Sequence, residues 1–230
     1  VGSTSYVLNT IEHGHPFYPL AGEGKVDIMT ANMPQSFVGM SWGEKLFRSL
    51  FSETANFIEG EPKLKNPFTV SEREVKSSGD VDIRIAGFGP LFGASLILTI
   101  IAALLTCFYI FNRKNIFLWC VYFALVFTVV INPEPWWMRY IPQLWILVAL
   151  LILIVYKSSK LGRWLAAICV ATMLLNVGFV INGTKAKLDS NMQNLSKQLE
   201  VMKNYSEENE LFIDFYWSTG NRIRFEEYGI

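Results

Sequence analysis

The residues best suited to chemistry lie in one short stretch, Pro133-Glu134-Pro135-Trp136-Trp137-Met138-Arg139-Tyr140-Ile141-Pro142-Gln143. It places an acid, a guanidinium, an amide and three aromatic rings between two apolar runs. The Arg139 guanidinium has the planar fork that holds phosphate oxygens bidentately. Trp136, Trp137 and Tyr140 offer faces on which a sugar ring or an isoprene chain stacks, and Gln143 adds a neutral donor and acceptor. The stretch reads as a substrate mouth, or equally as an aromatic belt with Arg139 among lipid headgroups.

Two further groups carry reactive types. His13 and His15 are two residues apart, which puts both on one side of an extended segment. With Glu12 or Asp27 they could hold a divalent cation, or act as acid–base groups near neutrality. Packing beside Phe17 and Tyr18 is the plainer use. Asp80, Asp82 and Arg84 alternate before an apolar run, where a strand edge could coordinate a cation that bridges a phosphate, or simply be a solvated turn. Cys107, Cys120 and Cys169 stand singly inside apolar runs, so neither a zinc site nor a disulfide framework is indicated. No phosphate-binding glycine loop and no Ser/His/Asp spacing is present, which argues against nucleotide hydrolysis and serine-hydrolase chemistry.

The elements that must position these residues are mostly apolar. Hydrophobic residues make up 51% of the 230, charged residues 17%, and mean hydropathy is +0.29. With 20 basic and 20 acidic residues the net charge is zero, so no basic field calls for nucleic acid. Four runs without an internal charge, 88–111, 116–131, 141–156 and 164–181, predict four transmembrane helices. Residues 1–87 then form one segment and 182–230 a tail. Arg113, Lys114, Lys157, Lys160 and Arg163 fall in the loops 112–115 and 157–163, so positive charge puts those loops inside. Residues 1–87 (net −3) and 182–230 (net −2) are thereby placed on the outer face, flanking a block of net +5. The expected class is an all-α polytopic membrane protein, integral to a bacterial plasma membrane, with mostly irregular or helical outer-face segments. Val1 and the lack of any crossing device before residue 88 predict a fragment of a longer chain. No span holds an ionisable group, which disfavours an ion pathway.

In the outer segments, residues 1–35 read as irregular, and Ser41–Phe57 as a helix with Trp42, Leu46 and Leu50 on one face. Glu59–Asp82 reads as a loop. Thr184–Tyr205 reads as a separate helix with an apolar stripe of Leu188, Met192, Leu195, Leu199 and Met202, and Leu211–Trp217 as a strand.

Several blocks resemble a known group. His15-Pro16-Phe17-Tyr18-Pro19-Leu20, Asp27-Ile28-Met29-Thr30, Gly87-Phe88-Gly89-Pro90-Leu91-Phe92 and Pro135 through Trp145 resemble blocks of large bacterial multi-span membrane proteins similar to the GT-C superfamily of glycosyltransferases. The resemblance covers most of 1–181 and corresponds to the C-terminal half of such a protein. It implies transfer from a polyprenyl-phosphate-linked sugar in cell-envelope polysaccharide biosynthesis. The family's catalytic acid would lie before Val1. Arg139 would grip lipid phosphate, and His13, His15 and Asp80 would line the acceptor side. The resulting expectation is a membrane glycosyltransferase or glycan polymerase with membrane lipids as partners. The alternative is a non-enzymatic membrane scaffold or assembly subunit of a cell-envelope complex, whose outer segments bind partner proteins.

Overall fold

The computed structural model describes residues 3–19, 22–23, 27, 29–56, 61–111, 115–216 and 220–230. Its helices run α1 (Thr4–His13), α2 (Trp42–Phe51), α3 (Glu72–Ser77), α4 (Phe92–Leu105), α5 (Cys107–Ile110), α6 (Ile116–Val130), α7 (Gln143–Tyr156), α8 (Lys160–Ser206) and α9 (Asn221–Tyr228), with a 3-10 turn at Gln35–Phe37. Among the described residues the only β pairing is two isolated antiparallel bridges, Ser52 with Leu64 and Ala55 with Ile85.

The apolar runs are helical because few of their side chains compete with the backbone for hydrogen bonds, but their helices are shorter than the runs. Gly89 has φ +100° and Pro90 follows it, so the chain turns before α4 can begin at Phe92. At the other end, the Thr106 hydroxyl donates to the Ala102 carbonyl at 2.7 Å and the helix breaks into α4 and α5. α4, α6 and α7 therefore have 14, 15 and 14 residues. At 1.5 Å per residue these reach about 21–23 Å, short of a hydrocarbon layer of roughly 30 Å. Among the described residues only α8, 47 residues long, is long and apolar enough to cross a membrane. The expected four transmembrane helices are corrected to one such helix. The polytopic class falls with them. So does the placement as an integral plasma-membrane protein with 1–87 and 182–230 outside, since that needed four alternating crossings. Arg113 and Lys114, which helped to set the orientation, lie outside the described residues.

α7 is the centre of the bundle. Leu147, Val148, Leu151, Ile152, Ile154 and Val155 are buried against α4, α6 and α8. Leu147, Val148, Ile152 and Val155 share a core with Phe88, Phe92, Ala166 and Cys169; Leu151 and Ile154 pack instead with Ile110 and Trp119, and another core gathers Phe37, Ile85, Ala86, Trp136 and Trp137. α8 joins the bundle through one face, where Gly162, Ala166, Cys169, Asn176 and Gly183 are buried at spacings of three, four and seven. A methyl group at Gly183 would collide with the Val75 carbonyl, so its lack of a side chain lets α3 lie directly on α8.

Four local readings also change. Residues 4–13 are helical rather than irregular, closed by Gly14 in the left-handed region. The expected helix over Ser41–Phe57 stops at Phe51, and Phe57 lies outside the described residues. Residues 211–216 have no strand partner among the described residues, and Trp217 lies outside them. The expected helix at Thr184–Tyr205 is the distal half of α8, because Lys185 and Lys187 are good helix formers and end nothing.

Candidate functional site

The stretch between α6 and α7 is held from every side. Asn132 Nδ2 donates to the Tyr140 carbonyl at 2.7 Å, while its Oδ1 accepts from the Glu134 N–H at 2.9 Å. α2 docks onto it. Trp42 Nε1 donates to the Asn132 carbonyl at 2.8 Å, and the Ser49 hydroxyl donates to the Trp136 carbonyl. Lys45 Nζ meets both Glu134 oxygens at 3.0 and 2.8 Å, with side chains only 10% and 15% exposed. At this burial the Coulomb attraction works in a low dielectric and each charge needs the other.

The aromatic residues face inward. Trp136 is 1% exposed and stacks on Trp137 at 5.2 Å. Tyr140 stands edge-on to both rings, and its hydroxyl donates to the Met29 carbonyl at 3.3 Å. Burial, then the Asp27 carboxylate, pushes the Tyr140 phenol above its ordinary range, with Arg139 opposing. Trp137 Nε1 donates to the Ile83 carbonyl at 2.8 Å. Arg139 lies with its guanidinium carbon 4.7 Å from the Trp137 ring centre and pairs with Asp82 at 2.9 Å. Gln143 leaves the group altogether and donates to the Thr128 hydroxyl on α6 at 3.1 Å.

Of the expected site residues, Arg139, Trp137 and Asp80 come together. They line a cavity of about 340 Å³ whose other walls are largely apolar, Phe88, Met138 and Trp145 among them, with Val177 and Ile181 supplied by α8. Asp80 is also paired with Lys187 at 3.1 Å. His13 and His15 do not line this cavity. His13 stacks on Tyr18 at 3.7 Å, and His15 Nδ1 accepts the Phe17 N–H at 3.1 Å. Asp27 is engaged in its own turn, accepting from the Met29 and Thr30 N–H groups and the Thr30 hydroxyl. Among the described residues no three His, Cys, Asp or Glu side chains are grouped to hold a metal ion.

Sequence reasoning passed over three residues that organise the site. Lys45 falls on the same face of α2 as Trp42, Leu46 and Ser49, and a charge on an apolar face was the readable signal. Asn176 is fully buried: its Oδ1 accepts the Leu91 N–H at 2.7 Å and its Nδ2 donates to the Phe88 carbonyl at 2.9 Å. It thus satisfies the backbone of the bend before α4. Its isolation in an apolar run marked it. Glu74 is paired with Lys65, accepts the Thr54 N–H at 3.2 Å and closes a capping box with Ser71. Only the Ser-x-x-Glu spacing hinted at it.

The resemblance to the GT-C superfamily is corrected by the architecture, which among the described residues has one helix of membrane-crossing length in place of a multi-span array. With it falls the description as a polytopic transferase of that group. No family model, no curated protein and no solved structure matches the chain.

Proposed function

We propose that the chain is a non-enzymatic scaffold or assembly subunit that meets lipid through α8. The observation that carries this reading is the state of α8's most apolar 18 residues. They hold almost no charge, yet only 17% of them is buried inside the protein. The core helix of a water-soluble protein hides such a stretch, because each exposed Leu or Ile forgoes about 1.5–3 kcal/mol of burial. Neighbouring helices continue the apolar surface, with Leu104 and Phe108 from α4 and α5 and Phe117, Phe123 and Phe127 from α6 all exposed. A surface this extended calls for an apolar medium.

The scaffold reading gains support from how the reactive residues are used. Trp136 and Trp137 fill a core, Arg139 is matched by Asp82, and Asp80 is matched by Lys187. These groups fasten the stretch before α4 to the α6–α7 connection and to α8.

Flotation with phosphatidylcholine–phosphatidylglycerol vesicles tests the lipid contact. The chain rises with the vesicles and stays bound in 1 M salt (a concentration that shortens the Debye length to about 3 Å). A chain that remains at the bottom of the gradient overturns the reading. Transfer from a polyprenyl-phosphate-linked sugar that is lost in Arg139→Ala, at unchanged protein level, overturns the non-enzymatic part.

A further inference from the structure

The charges of the bundle are sorted by end. Between Ile83 and Leu188 the sequence holds a single acid, Glu134. It stands before α7 and pairs with Lys45. Arg139 and Lys187 are matched near the same end, by Asp82 and Asp80. α7 then runs about 21 Å to Tyr156. Beyond it, the connection to α8 and the first turn of that helix carry Lys157, Lys160 and Arg163. All three are exposed. Among the described residues, none of the three forms an ion pair.

The chain holds these cations on a fixed turn. The Ser158 hydroxyl donates to the Val155 carbonyl at 2.6 Å, and the Ser159 hydroxyl accepts the Gly162 N–H at 3.0 Å. A methyl group at Gly162 would strike the Val155 carbonyl, so the missing side chain lets α8 turn back closely on α7. Lys160 and Arg163 are three apart on α8 and share a face, where like charges repel. With Glu134 at the far end of α7, no acid of the bundle offsets that repulsion.

The residues between the cations identify the counter-charge. Leu161 and Trp164 are 55% and 69% exposed, and Tyr156 is exposed beside them. Side chains that read a nucleic-acid backbone are polar or charged. Rings and aliphatic stems alternating with Lys and Arg suit a membrane interface instead, where the apolar parts enter the acyl boundary and the cationic heads stay at the phosphates. The patch is also continuous with the apolar surface of α8, which goes on through Ile168 and Leu174, both exposed.

We infer that this end of the bundle binds the phosphodiester headgroups of an acidic phospholipid bilayer. The inference rests on the lipid contact proposed for α8 and adds to it a preference for one lipid charge. Cations beside an anionic leaflet are attracted to it, and the attraction is screened by salt.

A bimane label on Leu161→Cys, in a full chain with Cys107, Cys120 and Cys169 replaced by Ala, reads which lipid lies beside the turn. The chain is reconstituted into phosphatidylcholine vesicles that carry a small fraction of nitroxide-labelled phosphatidylglycerol or, in parallel, nitroxide-labelled phosphatidylcholine. The labelled phosphatidylglycerol should quench at least about three-fold more effectively at low salt. That ratio should fall to near one in 1 M salt, where the Debye length is about 3 Å. It should fall equally in the Lys157→Gln/Lys160→Gln/Arg163→Gln chain, whose circular dichroism spectrum should be unchanged because all three side chains are exposed. Equal quenching by the two lipids at low salt overturns the inference and leaves the lipid contact standing. A preference that survives both the triple substitution and high salt also overturns it. Quenching by neither lipid overturns the lipid contact itself.

Discussion

At the scale of single residues, some buried charges are matched by a direct partner. Lys45 and Glu134 form such a pair between α2 and the α6–α7 connection. Removing one partner strands the other charge. Lys45→Met or Glu134→Leu alone should each cost about 3–5 kcal/mol in chemical denaturation, and the double variant should recover most of that loss. Equal and additive losses would show that the pair is not coupled. Tyr140 gives a pH signature. Its folded pKa lies above the ordinary value of a phenol, chiefly through burial. The folded chain therefore keeps the phenolic proton at a pH where the unfolded chain releases it. Stability must fall as pH rises through the unfolded value, and Tyr140→Phe should fall less between about pH 9 and 11. Denaturation curves of the two proteins across that range decide it.

At the scale of elements, close approach by glycine decides what can pack. Gly183 on α8 leaves no room for a Cβ beneath the Val75 carbonyl, and Gly79 is similarly tight against the Gly183 backbone. Gly183→Val should therefore lift α3 from α8, exposing the amides of residues 72–78 to hydrogen exchange while α7 stays protected. Unchanged protection there would mean that α3 is held by the Glu74 network alone. The elements also show what the sequence revealed and what it hid. The uncharged runs announced helices, and Gly89-Pro90 marks a turn locally, but nothing showed that the helix would be interrupted at Thr106. The stretch around Trp136 and Arg139 was visibly unusual, yet its partners Ser49, Ile83 and Asp82 are 54 to 87 residues away and carry no local mark. Composition shows that two tryptophans and an arginine stand together. It does not show whether they face a ligand or one another. The continuity of α8 stayed hidden because the apolar run ends at Ile181, although polar residues on a helix surface interrupt nothing.

At the scale of the whole molecule, the exposed apolar faces of α4, α6 and α8 set the solvent requirement. In plain buffer the chain should self-associate without limit, and in micelles it should resolve to one defined species. Sedimentation velocity in the two conditions distinguishes these behaviours, and a defined species in plain buffer would deny the apolar faces any role. The length of α8 has a mechanical consequence as well. Its 47 residues contain no proline and extend about 70 Å. Such a rod acts as an axle. If the bundle turned α8 by one residue past the Asn176 clamp, the exposed distal half of the helix would turn by the same angle, about 100°, with no proline to kink it. Leu188 and Met192 would swing away from whatever they faced. A rearrangement near the cavity of Arg139 and Asp80 would in this way be felt several helical turns away as torque.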